Sequence, residues 1–250
     1  MPTVPLSTGA VLTPQNFRRF ADFITRELGI KMSEHKIPML QGRLQRRLRA
    51  LGLSSLEAYQ EHLFDSADSG RELADFIDAV TTNKTDFMRE PAHFDYLVEQ
   101  ALPSLDPDPA QRRHIKLWCA GCSTGEEPYT LAMVLGEYAE RRGNLEFSLF
   151  ATDISTKVLH HAQDAVYDAK RLEPVPLAWQ KKYLLRSRDP AKQCVRIAPE
   201  LRARVRFARL NFMDEDYGVK ETFDAIFFRN VMIYFDRPTQ EAVVGRLCRN

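Results

Sequence analysis

The sequence predicts an α/β protein. It would have a small N-terminal all-helical domain, a Rossmann-like domain built on an open parallel sheet, and a small antiparallel β-subdomain inserted in that second domain. Apolar residues recur at helical spacing from residue 13 to about 80. Short apolar runs then alternate with helical stretches, which is typical of a parallel sheet with helices on both faces. A mostly polar stretch at about 181–199 interrupts the alternation.

Length and composition favour a soluble globular protein with a main domain and a smaller one. The chain has 250 residues, of which 44% are hydrophobic and 28% charged, and its formal net charge is +1. This balance gives no overall attraction to nucleic acid or to an anionic membrane. The N-terminus lacks the pattern of a secretory signal, and the most apolar stretch, "FDAIFFRNVMIYF", is too short to span a bilayer. We therefore expect a cytoplasmic monomer without membrane insertion.

Residues 1–12 are predicted to form a flexible tail and residues 13–90 the helical domain. Gly29 and Gly52 each follow an apolar stripe and are expected to end the first and second helices. "SSLEAYQEHL" predicts a third helix with Ser54 or Ser55 as N-cap, and "RELADFIDAVTTN" predicts a fourth. The stripes consist of Phe17, Phe20, Ile24 and Leu28, and of Ile37, Leu40, Leu44, Leu48 and Leu51.

Residues 91–113 are predicted to be a linker helix and loop, because "PSLDPDPAQRR" is rich in Pro and Asp. The α/β domain would then occupy residues 114–250. Four apolar runs predict its strands: "HIKLWCA" (114–120), "LEFSLFATD" (145–153), "VRFARLNF" (205–212) and "FDAIFFRN" (223–230).

Helices are predicted between the first strands at "EEPYTLAMVLGEYAERRG" and at "STKVLHHAQDAVY", the second with a Ser N-cap. The inserted subdomain would contain a hairpin in which Lys182–Arg186 pairs with Cys194–Ala198 across "SRDPAKQ".

The loop after the first strand, "LWCAGCSTGEEPY", contains a W-C-x-x-C sequence. A dithiol site needs a thiol of low pKa, and the two carboxylates that follow favour the protonated thiol. A zinc site needs a second pair of ligands, and Cys194 and Cys248 stand alone. Cys119 and Cys122 are therefore interpreted as small, semi-apolar residues that line a tight turn.

The small residues of this loop would let the backbone approach a bound nucleotide. The glycine-rich motifs that bind phosphate are missing from the sequence, and Glu126 and Glu127 would repel a pyrophosphate. The ligand is therefore predicted to be a cationic nucleoside without phosphates, and S-adenosylmethionine fits. Asp153 follows the second strand, where nucleotide folds hold ribose hydroxyls, although an Asp there is also a common helix N-cap.

The carboxylate of such a ligand needs a cation, and "TTNKTDFMRE" (81–90) offers Arg89 with Asn83 and Thr85 nearby. The same residues would also suit a capped helix end followed by a solvated arginine.

Four motifs, "TTNKTDFMRE", "LWCAGCSTGEEPYTLAM", "FATDIS" and "FDAIFFRNVMIYFD", occur in one order and at compatible spacing. Together they resemble the CheR family, the methyltransferases that esterify glutamates on bacterial chemoreceptors. The resemblance runs from about residue 13 to the end. It implies a helical N-terminal domain and an S-adenosylmethionine-dependent methyltransferase domain with an inserted β-subdomain. It also implies further strands beyond Asn250, after a Gly-rich turn.

The resemblance assigns roles residue by residue. Arg89 and Tyr234 would be the catalytic residues, Tyr234 by facing the transferred methyl group. The implied cofactor contacts are Asn83, Thr85 and Arg89 at the amino-acid end, Ala120 and Gly121 beneath the ligand, Glu126 or Glu127, Asp153 at the ribose, Asn211 and Phe212 at the adenine, and Asn230 and Val231 at the end of the fourth strand.

"MLQGRLQRRLRALG" places four arginines on one predicted helix. A solvated helix face would look the same. Because the rest of the chain is near neutral, we favour docking of an acidic, glutamate-bearing helix in the cytoplasmic domain of a methyl-accepting chemoreceptor. The residues are Arg43, Arg46, Arg47 and Arg49. The resemblance adds a receptor C-terminal peptide as a second contact, through the β-subdomain.

Two alternatives remain at this point. One is a non-catalytic module that binds an adenosyl ligand or a receptor as a sensor or adaptor. The other is an RNA methyltransferase, suggested by the arginine-rich helix. That helix lacks the interleaved aromatic residues that stack on bases, which favours a protein substrate.

Overall fold

The computed structural model describes residues 11–65, 69–105, 108, 112–189 and 191–249. It divides into two units: the first comprises the chain up to Thr82 with 211–215 and 232–245, and the second comprises 83–210, 216–231 and 246–250. Most of the predicted tail, much of the predicted linker loop, Pro190 of the predicted hairpin turn and Asn250 lie outside the described residues.

The N-terminal part of the chain is helical, as predicted. Its helices are α1 (Pro14–Leu28), α2 (Ile37–Leu51), α3 (Leu56–Asp65) and α4 (Ser69–Val80). Thr13 begins α1, because its hydroxyl accepts a hydrogen bond from the Asn16 N–H, and Gly29 ends it in the left-handed conformation with φ 68°. Ser55 is the residue that caps α3, because its Oγ accepts the Ala58 N–H at 3.1 Å.

Aromatic rings form the centre of the first unit. The ring of Phe20 lies 6.1 Å from that of Tyr59 and 5.9 Å from that of Phe76. Gly29 lies so close to Met213 that a Cβ at this position would be 2.6 Å from the sulfur atom. Most residues of the predicted apolar stripes are buried here: Phe17, Phe20, Ile24, Leu28, Leu40, Leu44 and Leu48. The two ends of the second stripe are not, because Ile37 is half-buried and Leu51 is exposed.

Helices and strands are interspersed along the rest of the chain. They are α5 (Ala92–Tyr96), a π-helical turn (Leu97–Ala101), α6 (Leu102–Leu105), β1 (Arg113–Ala120), α7 (Glu126–Arg142), β2 (Leu145–Asp153), α8 (Thr156–Asp164), β3 (Val166–Asp168), α9 (Leu177–Tyr183), β4 (Leu184–Arg186), β5 (Cys194–Ile197), α10 (Pro199–Arg202), β6 (Val205–Arg209), β7 (Ala225–Phe227) and α11 (Arg237–Leu247).

The predicted parallel sheet is confirmed, with strand order β6-β2-β1-β7 and parallel pairing throughout. Trp118 of β1 is fully buried, and its Nε1 donates to Thr152 Oγ1 of β2 at 2.9 Å. The chain reverses its direction of winding between β1 and β7. In open α/β sheets such a switch point is where ligands bind, at the carboxyl ends of the strands.

The antiparallel sheet is confirmed as well, in the order β3-β5-β4. Its hairpin pairs Leu184 with Ile197 and Arg186 with Val195. Its third strand, β3, is not among the predicted elements, and the helix predicted to run to Tyr167 ends at Asp164. Ala165 breaks that helix in the left-handed conformation (φ 54°), and β3 then pairs with β5.

Two parallel strands are shorter than predicted. The run predicted as a strand over 205–212 ends at Arg209, and the run over 223–230 is a strand only at Ala225–Phe227. Asp224 fixes the start of β7, because its N–H donates to the Lys116 carbonyl and its carboxylate accepts the Lys116 N–H. After β7 the chain leaves the sheet and reaches Asn230, which has φ 58°. Of the helices described, none has both the length and the apolar character that crossing a membrane requires.

Candidate cofactor site

A tight bend of small residues joins β1 to α7 at the switch point. The N–H groups of Gly121 and Cys122 donate to the Thr152 carbonyl at 2.8 and 2.9 Å, which holds the bend against the end of β2. Gly121 and Gly125 have φ of 84° and 97°. A Cβ at position 125 would be 2.6 Å from the Tyr167 hydroxyl, so the bend needs glycine for space as well as for conformation.

Asp153 lies at the carboxyl end of β2, beside this bend. Its Oδ2 accepts the Ser123 N–H at 2.9 Å, and its Oδ1 accepts the Ser155 N–H at 3.0 Å. Ser155, and not Asp153, is the N-cap of α8, because its Oγ accepts the Val158 N–H. The interpretation of Asp153 as a helix cap is therefore wrong. Its carboxylate fixes the bend and remains the ribose ligand that we predict.

The two cysteines of the bend are fully buried and form no disulfide. Burial raises the pKa of Cys119 well above its usual value, and the nearby Glu127 raises it further. Burial and the Asp153 carboxylate raise the pKa of Cys122 in the same direction. Both thiols are thus protonated at neutral pH, in agreement with their interpretation as structural residues. In the part of the chain that is described, no group of His, Cys, Asp or Glu side chains is arranged to hold a metal ion.

Glu126 occupies the first turn of α7 and is fully buried. One carboxylate oxygen accepts the Thr124 hydroxyl at 2.6 Å, and the other lies 2.7 Å from Arg171 Nη1. Burial raises the pKa of Glu126, while Thr124 and Arg171 oppose this effect. Sequence reasoning did not find Arg171, which lies in the polar run "DAKRLEP" without any pattern that marks it.

Glu127 makes an equivalent pair with Arg229, whose Nη1 lies 2.8 Å from Glu127 Oε2. Cys119 Sγ donates to the other oxygen of Glu127 at 3.3 Å. Arg229 is nearly buried, and its guanidinium lies over the Phe94 ring at 5.2 Å. Arg229 was also missed, although a charged residue inside the most apolar stretch of the sequence was a signal that it has a buried partner.

The segment 83–90 lies against the bend and against Arg229. Ser123 Oγ donates to the Asn83 carbonyl at 2.9 Å, and Arg229 Nη2 donates to the Arg89 carbonyl. Asn230 Nδ2 donates to Glu90 Oε1 at 3.2 Å. The hydrogen bonds from Asn230 and Arg229 lower the pKa of Glu90.

The second unit thus brings a large part of the predicted cofactor site to one place. The bend, both glutamates, Asp153, the segment 83–90 and Asn230 are joined by the contacts above. Val231 follows Asn230 at the same end of β7. Three residues assigned through the resemblance, Asn211, Phe212 and Tyr234, belong to the first unit. Their roles stay predictions.

Asn211 has internal partners in the first unit. Its Nδ2 donates to the Glu27 carbonyl at 2.8 Å, and its Oδ1 accepts the Met213 N–H at 3.0 Å. Phe212 is buried, and the carbonyl of Tyr234 accepts the Lys31 N–H at 2.9 Å.

The four arginines of α2 fall into two pairs. Arg43 donates to the carbonyls of Val80 and Thr81. Arg47 forms an ion pair with Glu72, which is nearly buried. The other two, Arg46 and Arg49, are exposed.

Comparison with known proteins agrees with this geometry. Residues 83–250 match the family domain described as "CheR methyltransferase, SAM binding domain", and residues 15–81 match "CheR methyltransferase, all-alpha domain". The chain belongs to the CheR methyltransferase family. It is a methyltransferase whose cofactor is S-adenosylmethionine, as the sequence predicts.

Three curated relatives of the CheR family illustrate the similarity. The chemotaxis protein methyltransferases of Salmonella typhimurium and Escherichia coli are each 39% identical to this chain over 237 residues. Chemotaxis protein methyltransferase 2 of Pseudomonas aeruginosa is 38% identical over 237 residues. Each alignment covers 94% of this chain and 78%, 79% and 81% of the respective relative.

Proposed function

We propose that this chain transfers the methyl group of S-adenosylmethionine to glutamate side chains in the cytoplasmic helical domain of methyl-accepting chemoreceptors. The products would be glutamate methyl esters and S-adenosylhomocysteine. The observation that carries the proposal is the acidic, phosphate-excluding bend at the switch point of a CheR-family sheet. The relatives, which are named as chemotaxis methyltransferases, support it and favour an enzyme over the adaptor alternative.

The chemistry suits a site without a general base. A glutamate carboxylate has an ordinary pKa of about 4.3 and is already ionised at neutral pH. S-adenosylmethionine supplies the methyl group as a sulfonium when it is bound. The chain must hold the methyl donor and the acceptor carboxylate in line and exclude water. Orientation of two reactants in this way can lower the activation barrier by on the order of 7–11 kcal/mol.

We assign the cofactor contacts on this basis. Asp153 holds the ribose hydroxyls, and Arg89 holds the carboxylate of the cofactor's amino-acid end. Asn83, Thr85, Asn230 and Val231 line the same end of the site.

Of the two glutamates, Glu127 is the better candidate for the cofactor's cationic groups. It keeps 13% of its side chain exposed, whereas Glu126 is fully buried.

The assignment also includes two catalytic residues, Arg89 and Tyr234. It includes two residues that contact the adenine, Asn211 and Phe212. The Arg89 side chain is 32% exposed and donates to the Lys84 carbonyl at 3.1 Å. It therefore retains accessible N–H groups with which to meet a carboxylate.

Two surfaces suit the receptor. Arg46 and Arg49 are free to meet an acidic helix, and Arg43 and Arg47 support their helix from within the unit. The antiparallel sheet offers β4 as an edge strand with Leu185 exposed. An extended receptor C-terminal peptide would add a strand there, with main-chain hydrogen bonds providing the affinity.

The decisive experiment is the transfer of a labelled methyl group to receptor-containing membranes. We expect label in the receptor that alkali releases, because esters hydrolyse where methylated nitrogen does not. Arg89→Met should abolish the transfer, and Arg112→Met, which changes an exposed arginine, should not. Label that resists alkali, or label in RNA, would contradict the proposal.

The ribose contact has its own test. Asp153→Ala is expected to weaken S-adenosylmethionine binding by about 1–3 kcal/mol, the cost of leaving buried donors unpaired. Titration calorimetry measures this directly, with the exposed Asp164→Ala as the control. Equal affinities for both variants would rule out the role of Asp153.

A further inference from the structure

We propose that Arg171 is a positioning residue of the cofactor site, through which the insertion that carries the antiparallel sheet (residues 166–197) holds the segment 83–90 in place. The inference rests on the proposed function only in so far as Thr85 and Arg89 of that segment contact the cofactor. Arg171 itself touches neither cofactor nor substrate in this proposal.

Arg171 belongs to the insertion. It lies in a 3₁₀ turn, Ala169–Leu172, that follows β3 directly. Asp168 fixes the start of this turn, because its carboxylate accepts the Lys170 N–H at 2.9 Å, and Leu172 at its end is buried. The position of the Arg171 backbone is thus set by the insertion.

The guanidinium of Arg171 joins two parts of the cofactor site. Nη1 lies 2.7 Å from Glu126 Oε1, and Nη2 donates to the Thr85 carbonyl at 2.6 Å. Nη2 also lies 3.4 Å from Asp86 Oδ1. One planar group therefore connects the first turn of α7 to the segment 83–90, which is a geometry that lysine, as a point charge, reproduces in part only.

A second contact from the insertion reaches the same place. Tyr167 of β3 donates its hydroxyl to the Thr124 carbonyl at 2.8 Å. Thr124 in turn donates to Glu126. Tyr167 and Arg171 thus contact neighbouring residues of the bend and the helix start, so the connection does not depend on a single side chain.

The segment 83–90 needs such support because its backbone is strained. Met88 and Glu90 both have φ 55°, which is unfavourable for residues with a side chain. Conformations of this kind persist where surrounding contacts impose them. Arg229 supports the end of the segment through the Arg89 carbonyl, and Arg171 supports its middle through the Thr85 carbonyl.

The experiment measures S-adenosylmethionine affinity by calorimetry for Arg171→Met, Arg171→Lys and the neighbouring exposed Lys170→Met. We expect Arg171→Met to bind about tenfold more weakly, because a buried carboxylate loses its ion-pair partner and a carbonyl loses its donor. Arg171→Lys should recover part of the loss, and Lys170→Met should bind like the wild type. Wild-type affinity in Arg171→Met would overturn the proposal.

A double-mutant cycle separates positioning from general damage to the fold. In a Glu126→Gln background no buried charge is left behind, so the loss of affinity that Arg171→Met still causes there comes from its contact with the segment 83–90. No loss in that background, or no recovery in Arg171→Lys, would also overturn the proposal. Binding is measured without receptor, so a failure of the wild type to methylate receptors would count against the proposed function and not against Arg171.

Discussion

The helical unit and the SAM-binding unit each contain a mostly buried arginine paired with a mostly buried glutamate. In the helical unit, Arg47 of α2 forms two hydrogen bonds with Glu72 of α4, at 3.0 and 2.6 Å, and Tyr59 donates to the same carboxylate. In the SAM-binding unit, Arg229 joins Glu127 to the backbone of Arg89. The first pair connects regular helices, and the second holds an irregular segment.

We infer from this difference that the first pair controls stability and the second controls cofactor affinity. Breaking the Arg47 pair leaves a charge between helices, which should lower the stability of their packing. Breaking the Arg229 pair releases a segment that carries proposed cofactor contacts, which should lower affinity more than stability. The following predictions, from the largest expected effect to the smallest, test that distinction.

Arg47→Met should lower the free energy of unfolding by about 3–5 kcal/mol, the usual cost of removing one partner from a buried ion pair. Urea denaturation measures the change. Arg46→Met, on the exposed side of the same helix, is the matched control and should stay within about 0.5 kcal/mol of the wild type. If the two variants unfold alike, the Arg47 pair does not stabilise the helical unit.

Arg229→Met should weaken S-adenosylmethionine binding by about 1–3 kcal/mol, because the Arg89 carbonyl and Glu127 lose a donor. Calorimetry is the measurement, and Arg206→Met, at an exposed ion pair with Glu221, is the control. If Arg229→Met binds S-adenosylmethionine normally but is destabilised as much as Arg47→Met, then the two ion pairs have the same role.

Arg46→Glu combined with Arg49→Glu should reduce kcat/KM for receptor methylation about tenfold, equivalent to about 1.4 kcal/mol. Both side chains are exposed, so cofactor affinity and unfolding should not change. Steady-state methylation assays with receptor membranes test this. Full activity in the double variant would show that α2 does not dock the receptor and has only a structural role.

Glu126→Gln should change the pH dependence of stability. Burial raises the pKa of Glu126 above its ordinary 4.5, so the folded state holds this proton to higher pH than the unfolded state does. The carboxyl's contribution to stability is therefore present below pH 4.5 and is lost as pH rises through the folded pKa. Relative to the wild type, the variant should therefore gain stability as the pH rises from 4.5 to neutral, as measured by urea denaturation. A constant difference across this range would show that Glu126 ionises normally.

Much of the fold could be predicted, because its signals are local. Apolar runs marked the parallel strands, and Gly29 and Gly52 marked helix ends. The third antiparallel strand could not be predicted in the same way. Val166 and Tyr167 continue a helical pattern, and only pairing with β5, which is distant in sequence, makes them a strand.

The candidate site was predictable where chemistry leaves a pattern in the sequence, as in the small-residue bend and in Asp153 at a strand end. Of the two arginines that support it, Arg171 leaves none, and Arg229 leaves only its position inside the most apolar stretch of the sequence. Whether an arginine faces solvent or a buried glutamate depends on tertiary contacts. For this reason the sequence does not distinguish Arg171, and it places Arg43 and Arg47 with Arg46 and Arg49 in one predicted docking surface.

The left-handed residues near the bend carry a consequence for engineering. Met88 and Ser123 adopt conformations that glycine adopts at no steric cost. Glycine at either position would remove this backbone strain, but each substitution would also remove a contact, because Met88 packs against the core and Ser123 Oγ donates to the Asn83 carbonyl. Neither substitution is therefore a simple route to a more heat-resistant protein, and each would loosen a part of the chain on which the proposed cofactor contacts depend.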